Sequence, residues 1–114
     1  VISIPLRLPS SPNLREHWAV KARRVKAERR AVAWLLGNGP RPPLPLVVTL
    51  TRVSPRCIRD GDNLQGAFKS CRDEVAKWFG VDDADPRVAW RYDQRRGAPK
   101  RHVVEITFGP LETP

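Results

Sequence analysis

RDGDNLQGAFKSCRDEVAKWFGVDDAD, residues 59–85, is the stretch whose reading decides the fold. Leu64, Ala67, Phe68, Cys71, Val75, Trp78 and Phe79 follow the spacing of a single apolar helix face. Asn63 is a good N-cap and Gly80 a good residue just past a helix end, so the spacing predicts one helix over residues 64–79. Seven of the chain's twelve acidic residues fall here: Asp60, Asp62, Asp73, Glu74, Asp82, Asp83 and Asp85. The chain as a whole carries a net charge of +9. Charge of that size already serves solubility, so a local acid cluster needs another reason. If the approach to the helix is extended, the side chains of Asp60 and Asp62 point the same way, roughly 6.5 Å apart. Such a pair can hold a hard cation. Asp82 and Asp83 lie beyond the far end of a helix roughly 24 Å long. They meet the first pair only if the chain after Gly80 folds back along it.

Outward from this stretch, length and composition set the frame. A chain of 114 residues makes one domain with a real core. It has no apolar run long enough to span a membrane, and VISIPLRLPSSP at its start is too short and proline-broken for a signal peptide. Cys57 and Cys71 form no CxxC pair, and His17 and His102 are distant in sequence, which argues against a disulfide framework or zinc site and for reduced thiols in the cytoplasm. Lys and Arg number 21 against 12 acids. Nucleic acid is the commonest partner for such a balance, through phosphate contacts and counterion release. An acidic protein or an anionic membrane surface would also suit the charge, but no lipidation motif supports the membrane.

Residues 1–8 read as a strand pushed toward an edge by Pro5. A loop at 9–13 comes next, in which Ser11-Pro12-Asn13 can either cap the following helix or touch DNA. That long helix is expected over 15–36, with Trp18, Ala22, Val25, Val32 and Leu36 as its apolar stripe and Arg29 at the core edge. Its other faces carry Arg15, Lys21, Arg23, Arg24, Lys26 and Arg30 against Glu16 and Glu28, a one-sided charge that is either a solvated face or a phosphate-contacting one. After a Gly/Pro loop at 37–45, LVVTLTR at 46–52 is the clearest strand. Arg56 and Arg59 sit next to the acids, as charge balance or as DNA backbone contacts. Residues 88–93 and 102–108 read as an antiparallel hairpin, with Arg95, Arg96, Lys100 and Arg101 as a cationic tip. The expected domain is 1–108 with a loose tail at 109–114. The order β-α-β-α-β-β makes an α+β domain, two helices packed on a mixed sheet.

The chemistry narrows by elimination. An EF-hand loop starting at Asp60 fails at Leu64 and Cys71. HExxH, Walker A, GxGxxG and GxSxG are all absent. Carboxylates with one amide, Asn63, remain, and such oxygen donors suit Mg²⁺, or Mn²⁺ in its place. Bound to nucleic acid, that metal chemistry is phosphodiester hydrolysis.

Asp60-Gly61-Asp62-Asn63-Leu64-Gln65, followed by a helix closing in Phe79-Gly80-Val81-Asp82-Asp83, resembles the RusA-like Holliday-junction resolvases. The likeness extends to the strand before it and the two strands after. It implies Mg²⁺-dependent cutting of four-way DNA junctions by a homodimer, with Asp83 as the essential carboxylate joining Asp60 and Asp62 and with Asp82 supporting it. The family carries a catalytic lysine four residues after the second Asp of the motif. Here that position is Gly66. Lys69, one helical turn further on, is either a replacement charge stabiliser or an ordinary surface lysine.

Overall fold

The computed structural model of the chain describes residues 2–9 and 17–111. The expected cap at Ser11-Pro12-Asn13 and residues 112–114 lie outside them, and the helix expected from Arg15 starts instead at Trp18, capped by the extended His17, whose ring accepts from Ala19 N–H. Seven elements run in order: β1 (Ile2–Ile4), α1 (Trp18–Leu36), β2 (Leu46–Ser54), α2 (Gly61–Ala67), α3 (Lys69–Phe79), β3 (Val88–Arg96) and β4 (Val103–Pro110). The α+β class, the element order and the mixed sheet are as expected. The second helix is split in two.

The four strands lie in the order β1-β4-β2-β3. β4 runs antiparallel to both β1 and β2, while β2 and β3 are parallel, in register from Leu46↔Val88 to Ser54↔Arg96. The expected β3–β4 hairpin does not form, because β2 lies between the two strands. β2 is the most apolar strand and gains most from being covered on both edges. A parallel β2–β3 pair then needs a crossover, which α2 and α3 supply. Residues 97–102 must pass over the end of β2, across two strand spacings of roughly 10 Å in all. Gly97 makes that passage: its N–H donates to Ser54 O at 2.9 Å, and a Cβ there would stand 2.8 Å from Val53 Cγ1. β4 continues to Pro110, with Gly109 opposite Val47, so the first two residues of the expected tail belong to the sheet. β1 stops before Pro5, which has no N–H to offer a ladder.

The core lies between one sheet face and the helices. Leu46, Val48 and Leu50 of β2 and Val104 and Ile106 of β4 meet Val32 and Leu36 of α1 and Phe68, Cys71 and Val75 of the split helix. Burial pushes the Cys71 thiol up to about 12. The helix expected over 64–79 breaks at Phe68 (φ −88°, ψ 1°), whose N–H turns to Gln65 O and Gly66 O. Gly66 is a poor helix former two residues earlier, and the break lets the Phe68 ring enter the core with no exposure.

α1 is rotated relative to the expected stripe. Val32 and Leu36 are buried, but Trp18 is 76% exposed and Ala22 is exposed, while Glu28 is buried. Glu28 accepts from Ser70 Oγ at 2.6 Å and from Arg24 at 2.9 Å. Ser70 is the second residue of α3, so the first half of α1 runs past the start of α3 and leaves Trp18 uncovered. Arg29 sits at the core edge as expected, paired with Glu74 at 2.8 Å.

Candidate metal centre and nucleic-acid interface

The first acidic end is a helix start. Asp60 is extended (φ −92°, ψ 125°), and its Oδ1 accepts from Asp62 N at 2.8 Å. Asp60, not Asn63, is therefore the N-cap, and Asp62 lies inside the first turn. The extended i, i+2 geometry expected for this pair is replaced by a capping turn, because a carboxylate satisfies an unpaired N–H at the positive end of the helix. Both residues are exposed. The strand-side approach is fixed: Ile58 N–H donates to Gln94 Oε1 at 2.8 Å, and Gln94 Nε2 donates to Ile58 O at 2.6 Å.

The second acidic end does fold back. Arg72, two turns before the end of α3, donates from Nη2 to Asp83 O at 2.9 Å, and its Nε lies 3.3 Å from Asp83 Oδ2. That Nε is buried and makes this ionic contact without a well-directed hydrogen bond. Arg72 Nη1 donates to the Tyr92 hydroxyl, and its guanidinium lies 4.9 Å from the centre of the Trp90 ring. Trp90 Nε1 also donates to Asp83 O, at 2.9 Å. Asp82 caps a turn through Ala84 N–H, which holds its carboxyl below the usual range. Paired hydrogen bonds from Arg87 bring Asp85 down to about 2.

Trp90, Tyr92 and Gln94 are alternate residues of the edge strand β3, so their side chains share the face toward the helices. Asp83 hangs on Trp90 and Ile58 on Gln94. These two anchor points are four strand residues apart, roughly 13 Å. The acidic ends thus flank one sheet edge with Arg72 and Tyr92 between them. They do not close into one cluster: among the described residues, no three His, Cys, Asp or Glu form a group that could hold a metal ion. The donor set suits a hard cation in kind, with Asp60 and Asp62 open to solvent, while Arg72 competes for Asp83.

Lys69 is elsewhere. It shares a cavity of about 360 Å³ with Gly66, as their helical spacing suggests, but the carboxylates of that cavity are Glu28 and Asp73. Its Nζ is 3.8 Å from Asp73 Oδ2. Asp73, not singled out in the sequence, also lines a second cavity of about 450 Å³ with Asp82 and Asp83. No helical period points to it, because α3 ends at Phe79 with Gly80 as its cap, before Asp82 and Asp83.

The cations separate into free and engaged groups. Arg23, Lys26 and Arg30 are exposed at i, i+3 and i+7 of α1, one helix face, and Trp34, 86% exposed, follows one turn beyond Arg30. Arg56, Arg59 and Arg96 line a common cavity of about 480 Å³ below the end of β2. Lys100 and Arg101 are exposed in the connection that crosses β2. Arg95 is not part of a free finger: both its terminal nitrogens are bound by Glu105 of β4, across β2. Arg72 and Arg52 escaped the sequence reading: Arg72 is one charged residue of the mixed run 69–74, and Arg52 is the last residue of LVVTLTR, which reads simply as a strand.

In comparisons with known proteins, no family model, no curated protein and no solved structure matches the chain. Among the described residues, no helix is long and apolar enough to cross a membrane.

Proposed function

We propose that the protein is a Mg²⁺-dependent, structure-specific DNA endonuclease that resolves four-way junctions as a homodimer, in the cytoplasm of a bacterial or phage-infected cell. The observation that carries the reading is that Asp60, Asp62 and Asp83 flank one sheet edge of a protein whose net charge is +9. The motif resemblance to the RusA-like resolvases points the same way. Asp60 and Asp62 would hold the cation, with Asp83 completing the set once released from Arg72 and Asp82 beside it. When bound, Mg²⁺, or Mn²⁺ in its place, supplies a water nucleophile at neutral pH and charge stabilisation at the leaving oxygen. The chain's own contribution is placement: the Ile58–Gln94 pair fixes the first acids, and Trp90 fixes the third. Arg72 can carry charge toward a phosphate whenever it leaves Asp83. The basic residues of α1 and of the Arg56–Arg59–Arg96 cavity position the DNA backbone.

The test is cleavage of a synthetic four-way junction beside a linear duplex of the same sequence, in Mg²⁺, with Asp62→Asn as control. The expected result is paired nicks in the junction alone, reduced at least about 100-fold in the variant. Equal cutting of both substrates would keep the nuclease and remove junction specificity.

The Arg72–Asp83 pair favours a second reading, a basic DNA-binding module in which the acids are structural. Titration calorimetry with Mn²⁺ separates the two. Binding that Asp62→Asn abolishes belongs to the nuclease, and junction binding without any metal uptake belongs to the module.

A further inference from the structure

β2 carries an arginine where its pattern calls for an apolar residue. Leu46, Val48, Leu50, Arg52 and Ser54 are alternate residues and so share the sheet face that packs against the helices. The first three belong to the core, and Arg52 is itself only 9% exposed. Its Nε donates to Leu8 O at 2.9 Å and its Nη1 to Arg56 O at 2.7 Å. Carbonyls orient a guanidinium without neutralising it, and no carboxylate among the described residues pairs with Arg52. Buried charges in proteins are ordinarily met by an opposite charge. Burial here pulls the pKa of Arg52 down; Cys57 opposes that shift and the neighbouring Arg7 adds to it.

Arg52 lines a cavity of about 320 Å³ together with Arg7, Ser54, Arg56 and His102. No acid lines it. The Ser54 hydroxyl is 3.1 Å from His102 Nδ1, which sets the imidazole ring at the wall. Pro55 and Arg56 are shared with the neighbouring cavity of Arg59 and Arg96, so the two form one cationic track past the end of β2.

We propose that this pocket is a phosphate-binding site, in which Arg52 is the buried anchor and Arg7, Arg56 and His102 close around the phosphoryl oxygens. The ligand chemistry is a tetrahedral phosphate bearing negative charge, supplied either by a nucleic-acid backbone or by a free phosphate ester. The backbone arm rests on the DNA reading above, and the pocket itself does not.

The experiment tracks the arginine Nε–H signals of the ¹⁵N-labelled protein during titration with inorganic phosphate, at ionic strength held constant with NaCl. The comparison is Arg7→Gln combined with Arg56→Gln, two exposed side chains whose loss leaves both carbonyl bonds of Arg52 in place. The expected result is a saturable shift of Arg52 Nε in the native protein, with an apparent Kd weakened about tenfold in the double variant. No saturable shift in the native protein, or an unchanged Kd in the variant, overturns the proposal. The salt dependence of binding to a linear duplex then identifies the source. A slope reduced by about one to two in the variant marks a backbone phosphate. An unchanged slope with phosphate binding weakened marks a free ester. A protein that binds phosphate as expected and no DNA at all would sink the endonuclease reading and leave the pocket standing.

Discussion

Charged side chains in this protein do different work according to what meets them. Arg87 and Asp85 form an isolated two-residue clamp at the entry to β3, joined by hydrogen bonds of 2.8 and 3.1 Å. These hold the Asp85 carboxyl at about 2. A carboxylate depressed by folding adds stability above its unfolded pKa of roughly 4, and that contribution is lost as pH falls toward the folded value. The native protein should therefore be more stable than Asp85→Asn at pH 6, with the gap closing between about pH 4 and pH 2. Denaturant midpoints of both proteins across that range check this, and a gap that stays constant into the acid would refute it. Arg95 with Glu105 and Arg29 with Glu74 are ordered pairs of the same kind, whereas Arg52 and Arg72 answer to carbonyls, aromatic rings and, for Arg72 alone, one acid. The contrast marks Arg52 as a buried arginine that no acid among the described residues meets.

At the scale of elements, the break at Phe68 is the decisive event. It sends an aromatic ring into the core, stacked on Tyr92 at 5.9 Å between centroids, and lets α2 start at Asp60 while α3 turns Arg72 toward Asp83. Phe68→Ala should cost about 3–5 kcal/mol, because a fully buried ring leaves a cavity that its neighbours only partly fill. Urea unfolding measures it, and a cost below about 1 kcal/mol would mean that the ring does not hold the two helices together. Phe68→Leu, which keeps most of the apolar volume, should lose much less. The apolar residues 64–79 were legible as a helical face, since the side chains that fill the core are the ones that define the period. The break was not legible: Phe68 fits the same period whether or not the helix is continuous. Nor was the strand order, because the run 88–108 has the turn residues of a hairpin and only the greater apolarity of β2 decides that it takes the central place. Gly80 was readable as a terminator and adopts the left-handed conformation expected, φ 73°. The stripe on α1 was misjudged at Trp18 and Glu28 for a tertiary reason. Ser70 and Arg24 satisfy the Glu28 carboxylate, while Trp18 stays 76% exposed.

At the scale of the whole molecule, whose net charge is +9, two cationic surfaces stand out, and nucleic acid binding would distinguish them. The first is the α1 face of Arg23, Lys26 and Arg30, on the outer side of the helix layer. The second is the track of Arg7, Arg52, Arg56, Arg59 and Arg96 past the end of β2, close to the chain entry into Asp60 and Asp62. Each neutralised phosphate adds about 0.9 to the slope of log affinity against log salt. If α1 lies along the DNA backbone, replacing Arg23, Lys26 and Arg30 together by Gln should lower that slope by about 2–3 units while leaving stability nearly unchanged, since all three are exposed. Replacing Arg56, Arg59 and Arg96 tests the other surface in the same assay. A single duplex contacting both surfaces would lose slope in each variant. A change confined to the second set would place the DNA against the acidic end, the arrangement that hydrolysis at Asp60 and Asp62 requires. A change confined to α1 would put the backbone away from the acids and count against cutting. Fluorescence anisotropy on one labelled duplex, from about 50 to 200 mM NaCl, measures all three proteins, and a slope unaltered in both variants would leave neither surface as the nucleic-acid interface.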